Sequence, residues 1–166
     1  FRNVDLADRV AVARRFNIGE EQTDALDYLP EADDVAKAWD QASLWYAGEK
    51  CVQAIDDARL ALADVTDVPP FAFDWETPWG WIRIRGSGRD EVDGTDALLI
   101  VDLGGDDRYT GPVGASNATR LFGLLLDLGG DDVYSATGPA QGAGMCGVGI
   151  LLDVAGNDTY KADRLA

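Results

Sequence analysis

The chain predicts an α+β fold: an N-terminal helical segment followed by a parallel, right-handed β-solenoid with coils of 25 to 26 residues, incomplete at its C-terminal end. Three observations carry this expectation. Hydrophobic spacing is helical over the first third of the chain. It changes to period two after Pro69-Pro70. From Ala97 onward one motif, an apolar run followed by Asp-x-x-Gly-(Asp/Asn)-Asp-x-Tyr, returns at a nearly constant distance. The chain accordingly divides into a helical capping or docking domain, residues 1–68, and a repeat domain, residues 69–166.

In the helical part, Leu6–Phe16 (LADRVAVARRF) reads as an amphipathic helix that ends at Asn17-Ile18-Gly19, since Gly suits a helix C-terminus. Residues 20–29 read as a second, short helix. Pro30 and Glu31 open a longer pattern in which Val35, Trp39, Ala42, Trp45 or Tyr46, Val52, Ile55, Ala58 and Leu62 recur at helical spacing. Gly48 is expected to break it into a helical hairpin. Glu31, Asp33 and Asp34 crowd its start, where the helix dipole favours negative charge. Trp45 and Tyr46 are read as core or domain-interface residues, with a ligand platform as the alternative. After the two prolines, Phe71, Phe73 and Trp75 alternate, and Trp79-Gly80-Trp81 leads into Ile82-Arg-Ile-Arg85. Both are strand patterns.

The repeat itself is DLGGDDRY at 102–109, DLGGDDVY at 127–134 and DVAGNDTY at 153–160, each preceded by an aliphatic run. A worn upstream copy, RGSGRDEV at 85–92, keeps Gly88, Asp90 and an apolar residue at Val92. Self-similarity at this period indicates a solenoid or a propeller, and a propeller blade needs about 40 residues. Stacking in register places equivalent residues about 4.8 Å apart. Asp102, Asp127 and Asp153 then form one column. Asp107, Asp132 and Asp158 form another, with Asp106, Asp131 and Asn157 beside them. Stacked carboxylates repel unless something lies between them. Carboxylates and turn carbonyls are the oxygen ligands of a hard cation, calcium above all. After Glu91 every acidic residue is Asp. That fits cation ligation, and it equally fits Asx-turns that satisfy corner amides without metal. Tyr109, Tyr134 and Tyr160 are expected to stack in a ladder that packs the core, or that binds carbohydrate if it lies on the surface.

The stretch AGNDTY at 155–160 resembles the turn of haemolysin-type calcium-binding β-roll repeats, and GGDDRY and GGDDVY resemble it less closely. The resemblance implies calcium bound between successive coils, with Asp107, Asp132 and Asp158 as side-chain ligands. That family repeats about every nine residues. Here one turn recurs every 25 or 26, and the likeness covers only the turn of each repeat.

The net charge of −16 argues against nucleic acid and anionic membrane surfaces, because phosphate binding needs clustered Lys and Arg. It favours cations. The absence of His removes Ser-His-Asp and Cys-His catalysis. No apolar run approaches the ~20 residues of a membrane span. Cys51 and Cys146 read as two buried thiols, or as one bridge. Residues 160–166 (YKADRLA) match 134–140 (YSATGPA), so the repeat is expected to be completed by a second polypeptide or a symmetry mate on its open C-terminal coil.

Together these readings describe an acidic structural repeat protein, extracellular, periplasmic or on the cell surface, that binds calcium between coils as part of a larger chain or assembly. A carbohydrate-active β-helix enzyme is the alternative, with paired carboxylates near Arg108, Arg120 or Lys161. A non-catalytic subunit completed by another chain is a third reading. Acids that follow the repeat look structural rather than catalytic, and no catalytic residue is assigned.

Overall fold

A computed structural model describes residues 40–117, 119–145 and 147–163. The helices expected at 6–16 and 20–29, the start of the third helical pattern, and Cys146 lie outside these residues.

Helix α1 spans Gln41–Leu62. Asp40 caps it: its Oδ1 accepts the Ser43 N–H at 3.1 Å, and its Oδ2 accepts the Ser43 hydroxyl at 2.6 Å. These bonds to Ser43 hold the Asp40 carboxyl below its ordinary range. The helix runs through Gly48 without the expected break. A Cβ at Gly48 would lie 3.5 Å from Val148 Cγ2, so this glycine marks a close approach to the sheet. Ile55 is buried. Trp45 and Tyr46, expected in a core or interface, are 79% and 63% exposed among the described residues.

The strand pattern after the prolines gives a hairpin, β1 (Ala72–Thr77) and β2 (Gly80–Arg85), paired antiparallel. Seven short strands follow: β3 (Glu91–Asp93), β4 (Ala97–Asp102), β5 (Arg108–Thr110), β6 (Phe122–Asp127), β7 (Val133–Ala136), β8 (Val148–Asp153) and β9 (Thr159–Ala162). They sort into two sheets. One is mixed and five-stranded, in the order β1-β2-β4-β6-β8. The other is parallel and four-stranded, in the order β3-β5-β7-β9. Each Asp-Gly-Asp turn carries the chain from the first sheet to the second.

This corrects the expected fold class. In place of an α+β solenoid, the described residues form one helix followed by a mixed and a parallel sheet, an α/β-like arrangement. The repeat encodes strand–turn–strand units and their register. It does not encode how the first strands pair, and β1 folds back antiparallel on β2. The segments that return from β5 to β6 and from β7 to β8 form bends and turns rather than further strands.

The core lies between the sheets. Val92, Tyr109 and Tyr134 from one meet Ala97, Ile100 and Leu125 from the other, with Val113 beside them. Aliphatic burial of this kind contributes about 25 cal/mol per Å² of apolar surface removed from water. The turn glycines Gly105, Gly130 and Gly156 have φ of 135°, 146° and 153°, which disfavours any side chain. A Cβ on Gly130 would also collide with the carbonyl oxygen of Gly105, and one on Gly156 with that of Gly130. Backbone from successive repeats therefore approaches closely at each acidic turn.

Candidate metal centre

Asp102, Asp127 and Asp153 are the last residues of β4, β6 and β8. The parallel register sets them side by side, Asp102 against Asp127 and Asp127 against Asp153. Asp107, Asp132 and Asp158 stand just before β5, β7 and β9. The turn between them, with its glycines at positive φ, brings the two rows together. Two clusters result: Asp102, Asp107 and Asp127, and Asp132, Asp153 and Asp158. Within each, one oxygen from every carboxylate lies within 4.8 Å of the others, and such a group can hold a metal ion.

The hydrogen bonds of the two rows differ. In the second row, each Asp carboxylate accepts the backbone N–H of the preceding repeat. Asp107 Oδ1 accepts from Asp90 at 2.5 Å, Asp132 Oδ1 from Asp107 at 2.6 Å, and Asp158 Oδ1 from Asp132 at 3.0 Å. The other oxygens of Asp107 and Asp132 are buried and have no hydrogen-bond partner. These residues are 2% and 1% exposed, so water does not supply the missing bonds from bulk.

In the first row, Oδ1 closes an Asx-turn, from Gly104 N–H to Asp102 at 3.1 Å and from Gly129 N–H to Asp127 at 2.9 Å. Oδ2 meets the tyrosine ladder. The Tyr109 hydroxyl lies 2.8 Å from Asp102 and 2.6 Å from Asp127. The Tyr134 hydroxyl lies 3.1 Å from Asp127 and 3.0 Å from Asp153, and that of Tyr160 lies 2.6 Å from Asp153. The rings stack, with centroids 4.7 and 4.6 Å apart. Burial, then the carboxylate charges, raise all three phenols above their ordinary value, with Asp153's hydrogen bond ahead of its charge at Tyr160. Each phenol keeps one proton. Three protons serve three of the five contacts. The other two contacts become hydrogen bonds only when a carboxyl carries a proton.

Charge is the central fact of the site. Among the described residues, the Lys and Arg salt bridges go to Asp56, Asp74, Asp90 and Asp96, and none reaches the six clustered acids. Two full charges about 4.8 Å apart at an effective dielectric of about 20 repel by roughly 3 kcal/mol. Burial pushes the Asp102 carboxyl up to about 7. The charges of Asp107 and Asp127 add to this, while the Gly104 N–H and the Tyr109 hydroxyl oppose it. Burial likewise lifts Asp107 to about 6 and Asp132 to about 8, with Asp127 and other neighbouring carboxylates adding and a backbone N–H opposing in each case. Asp153 is raised by burial against the pull of the Tyr160 and Tyr134 hydroxyls. The clusters thus need positive charge, supplied either as protons or as a cation.

Of the nine residues expected as ligands, six enter the clusters. Asp106, Asp131 and Asn157 point outward and are exposed. They form a third column, in which Asp106 Oδ1 accepts the Asp131 N–H at 3.0 Å and Asp131 Oδ1 accepts the Asn157 N–H at 2.9 Å. The sequence reading gave the tyrosines a packing ladder or a carbohydrate-binding surface and no bond to the acids, although each Tyr stands seven residues after its Asp in every repeat. Arg85 is the other residue the motif half-showed. It occupies the first Asp position of the worn copy and pairs in register with Asp102. Its guanidinium turns to Asp74, at 2.8 Å. The cations considered for catalysis do not converge on the acids. Arg108 and Lys161 are exposed, and Arg120 donates to the Ala115 carbonyl at 3.1 Å and pairs with Asp96.

No family model, no curated protein and no solved structure matches this chain. No described helix is long and apolar enough to cross a membrane.

Proposed function

We propose that the chain is a structural module whose acidic turns bind calcium between successive repeats, so that the ion locks strand–turn–strand units into register. One observation carries the reading. Asp107 Oδ2 and Asp132 Oδ2 are buried without a partner, inside carboxylate clusters that no basic side chain among the described residues neutralises. The donor set is all oxygen, which suits a hard cation. Asp102, Asp107 and Asp127 hold one ion, and Asp132, Asp153 and Asp158 hold the other. Calcium suits the role because it tolerates irregular oxygen geometry, whereas magnesium demands a near-ideal octahedron. Three carboxylates per site, and the clash between neighbouring sites, point to the weak affinities of extracellular modules. A place outside the cell or on its surface follows, where calcium is abundant.

The metal-free alternative has its own support. With Asp102 and Asp153 protonated, all five tyrosine contacts carry a proton, and Asp127 accepts from both Tyr109 and Tyr134. Catalysis at Asp102 and Asp127 has no such support, because both are fully buried and offer no surface to a sugar.

Isothermal titration of the EDTA-stripped full chain with calcium and with magnesium at pH 7.5 separates the readings. Calcium is expected to bind at about two sites, release protons and raise the melting temperature by mass action. A chain that neither takes up calcium nor shifts its melting temperature at ~10 mM calcium is a hydrogen-bonded repeat without metal.

A further inference from the structure

A cleft lies at the strand ends opposite the acidic turns. Leu98 and Phe122 stand at the starts of β4 and β6, whose last residues are Asp102 and Asp127. With Pro78, Trp79 and Leu121 they line a space of about 550 Å³, within the range of small-molecule sites. Local bonds set its walls. The Thr77 hydroxyl donates to the Gly80 carbonyl at 2.6 Å and accepts the Trp79 N–H at 3.2 Å, which fixes the turn that carries the indole. Asn117 Oδ1 accepts the N–H groups of Thr119 and Arg120 at 3.0 and 2.8 Å.

Arg120 is the one charged side chain among the described residues of the lining. It is 6% exposed. Its Nη2 donates to the Ala115 carbonyl, but its Nε and Nη1 are buried with no hydrogen-bond partner. A buried N–H without an acceptor is costly, and more so on a charged group. Asp96 lies 3.7 Å from Nη1, beyond hydrogen-bond range, and its side chain is 75% exposed. Such an ion pair contributes little, so Asp96 yields readily to a competing anion. Burial pushes the guanidinium below its ordinary value, against the charge of Asp96. In a chain of net charge −16, this cleft therefore offers a buried cation with donors to spare.

We propose that the cleft binds a small-molecule carboxylate with an aromatic or aliphatic body. Its carboxylate takes the place beside Arg120 Nη1 that Asp96 approaches, and its body lies against Trp79, Leu98 and Phe122. One guanidinium, with no second cation in the described lining, matches a single negative charge, a carboxylate rather than a phosphate. An acidic side chain of residues 1–39 carries the same group, and the test separates the two sources. The site is distinct from the acidic clusters, and the inference stands whether or not calcium fills them.

Nuclear magnetic resonance of the full chain, titrated with phenylacetate and with its uncharged amide, tests it. Phenylacetate is expected to move the Trp79 indole N–H and the Arg120 Nε–H signals together and to saturate with a Kd of about 1 mM or below. Phenylacetamide should bind at least about tenfold more weakly, because it lacks the charge that Arg120 meets. Asp96→Asn removes the competing carboxylate at a backbone position, φ 56°, that Asn tolerates, and should tighten phenylacetate binding. The proposal is overturned if phenylacetate moves neither signal, or if the amide binds equally well, since the cleft is then merely apolar. It is overturned if Asp96→Asn weakens binding, since the carboxylate then sits elsewhere. An Arg120 Nε–H already protected from exchange in the free chain and unmoved by phenylacetate also overturns it, since an acid of the chain itself then fills the cleft.

Discussion

Replacing Asp132 by Asn isolates the charge of one buried carboxylate while keeping its shape. Asp132 is 1% exposed, its Oδ1 accepts the Asp107 N–H at 2.6 Å, and its Oδ2 has no partner. The amide oxygen can keep the first contact, and the amide nitrogen brings a donor to carboxylates that lack one. In EDTA at pH 7 the folded chain protonates Asp132, whose carboxyl is lifted from 3.8 to about 8, while the unfolded chain leaves it ionised. Each pH unit above the unfolded value costs about 1.4 kcal/mol. The full linkage is therefore on the order of 4 kcal/mol. Asp107 and Asp127 share the same field and relax when one charge is removed, so a net gain of about 1–3 kcal/mol is expected for Asp132→Asn in EDTA. Urea unfolding at unchanged m reads it directly. With calcium the order reverses, because the parent gains an ion that the variant holds poorly. An Asp132→Asn chain that is less stable than the parent in EDTA, yet keeps the full calcium increment, would refute both the charge argument and the ligand assignment.

Two further outcomes follow from the same site. Asp102, Asp107, Asp132 and Asp153 all have raised folded pKa values, so the folded chain holds more protons than the unfolded one above pH ~4. Their contribution is full below the unfolded value of 3.8 and is lost as pH rises through about 6 to 8. The melting temperature in EDTA should therefore fall from pH 5 to pH 8, and saturating calcium should remove most of that fall; a flat or rising profile in EDTA counts against the assignment. Tyr134→Phe removes a buried hydroxyl between Asp127 and Asp153 and should cost about 2–3 kcal/mol in chemical denaturation, whereas Tyr160→Phe, half exposed, should cost under about 1. Equal losses would show that the ladder acts through ring stacking rather than through its hydroxyls.

Much of the site was written in the chain. The 25- and 26-residue spacing placed Asp102, Asp127 and Asp153 side by side, and the three tyrosines in one stack. That is legible because parallel pairing at one strand spacing converts sequence repetition into columns. Choosing among adjacent acids was harder. Asp106 and Asp107 look alike in GGDDRY, yet one faces solvent and the other is buried. Strand alternation held the answer, since Asp107 and Tyr109 are two residues apart and share a face, while Asp106 falls on the other. Helix α1 was visible in its hydrophobic spacing, but its continuity through Gly48 was not. A glycine in a helix signals a break as readily as a close approach, and only Val148 beside it decides which.

By itself, then, the amino-acid sequence determined the local units: a helix at 41–62, aromatic-rich strands after the two prolines, and acidic Gly turns that each end one strand and begin another. These depend on residues close in the chain, through propensity, period and turn chemistry. The tertiary structure alone decided that the units assemble as a mixed and a parallel sheet rather than as a wound coil, because β1 pairs antiparallel across the first edge. It also decided which oxygens lose water. Burial, not sequence, leaves Asp107 and Asp132 each with an oxygen that has no partner, and a carboxylate's need for a proton or a cation arises only once the packed sheets have excluded solvent.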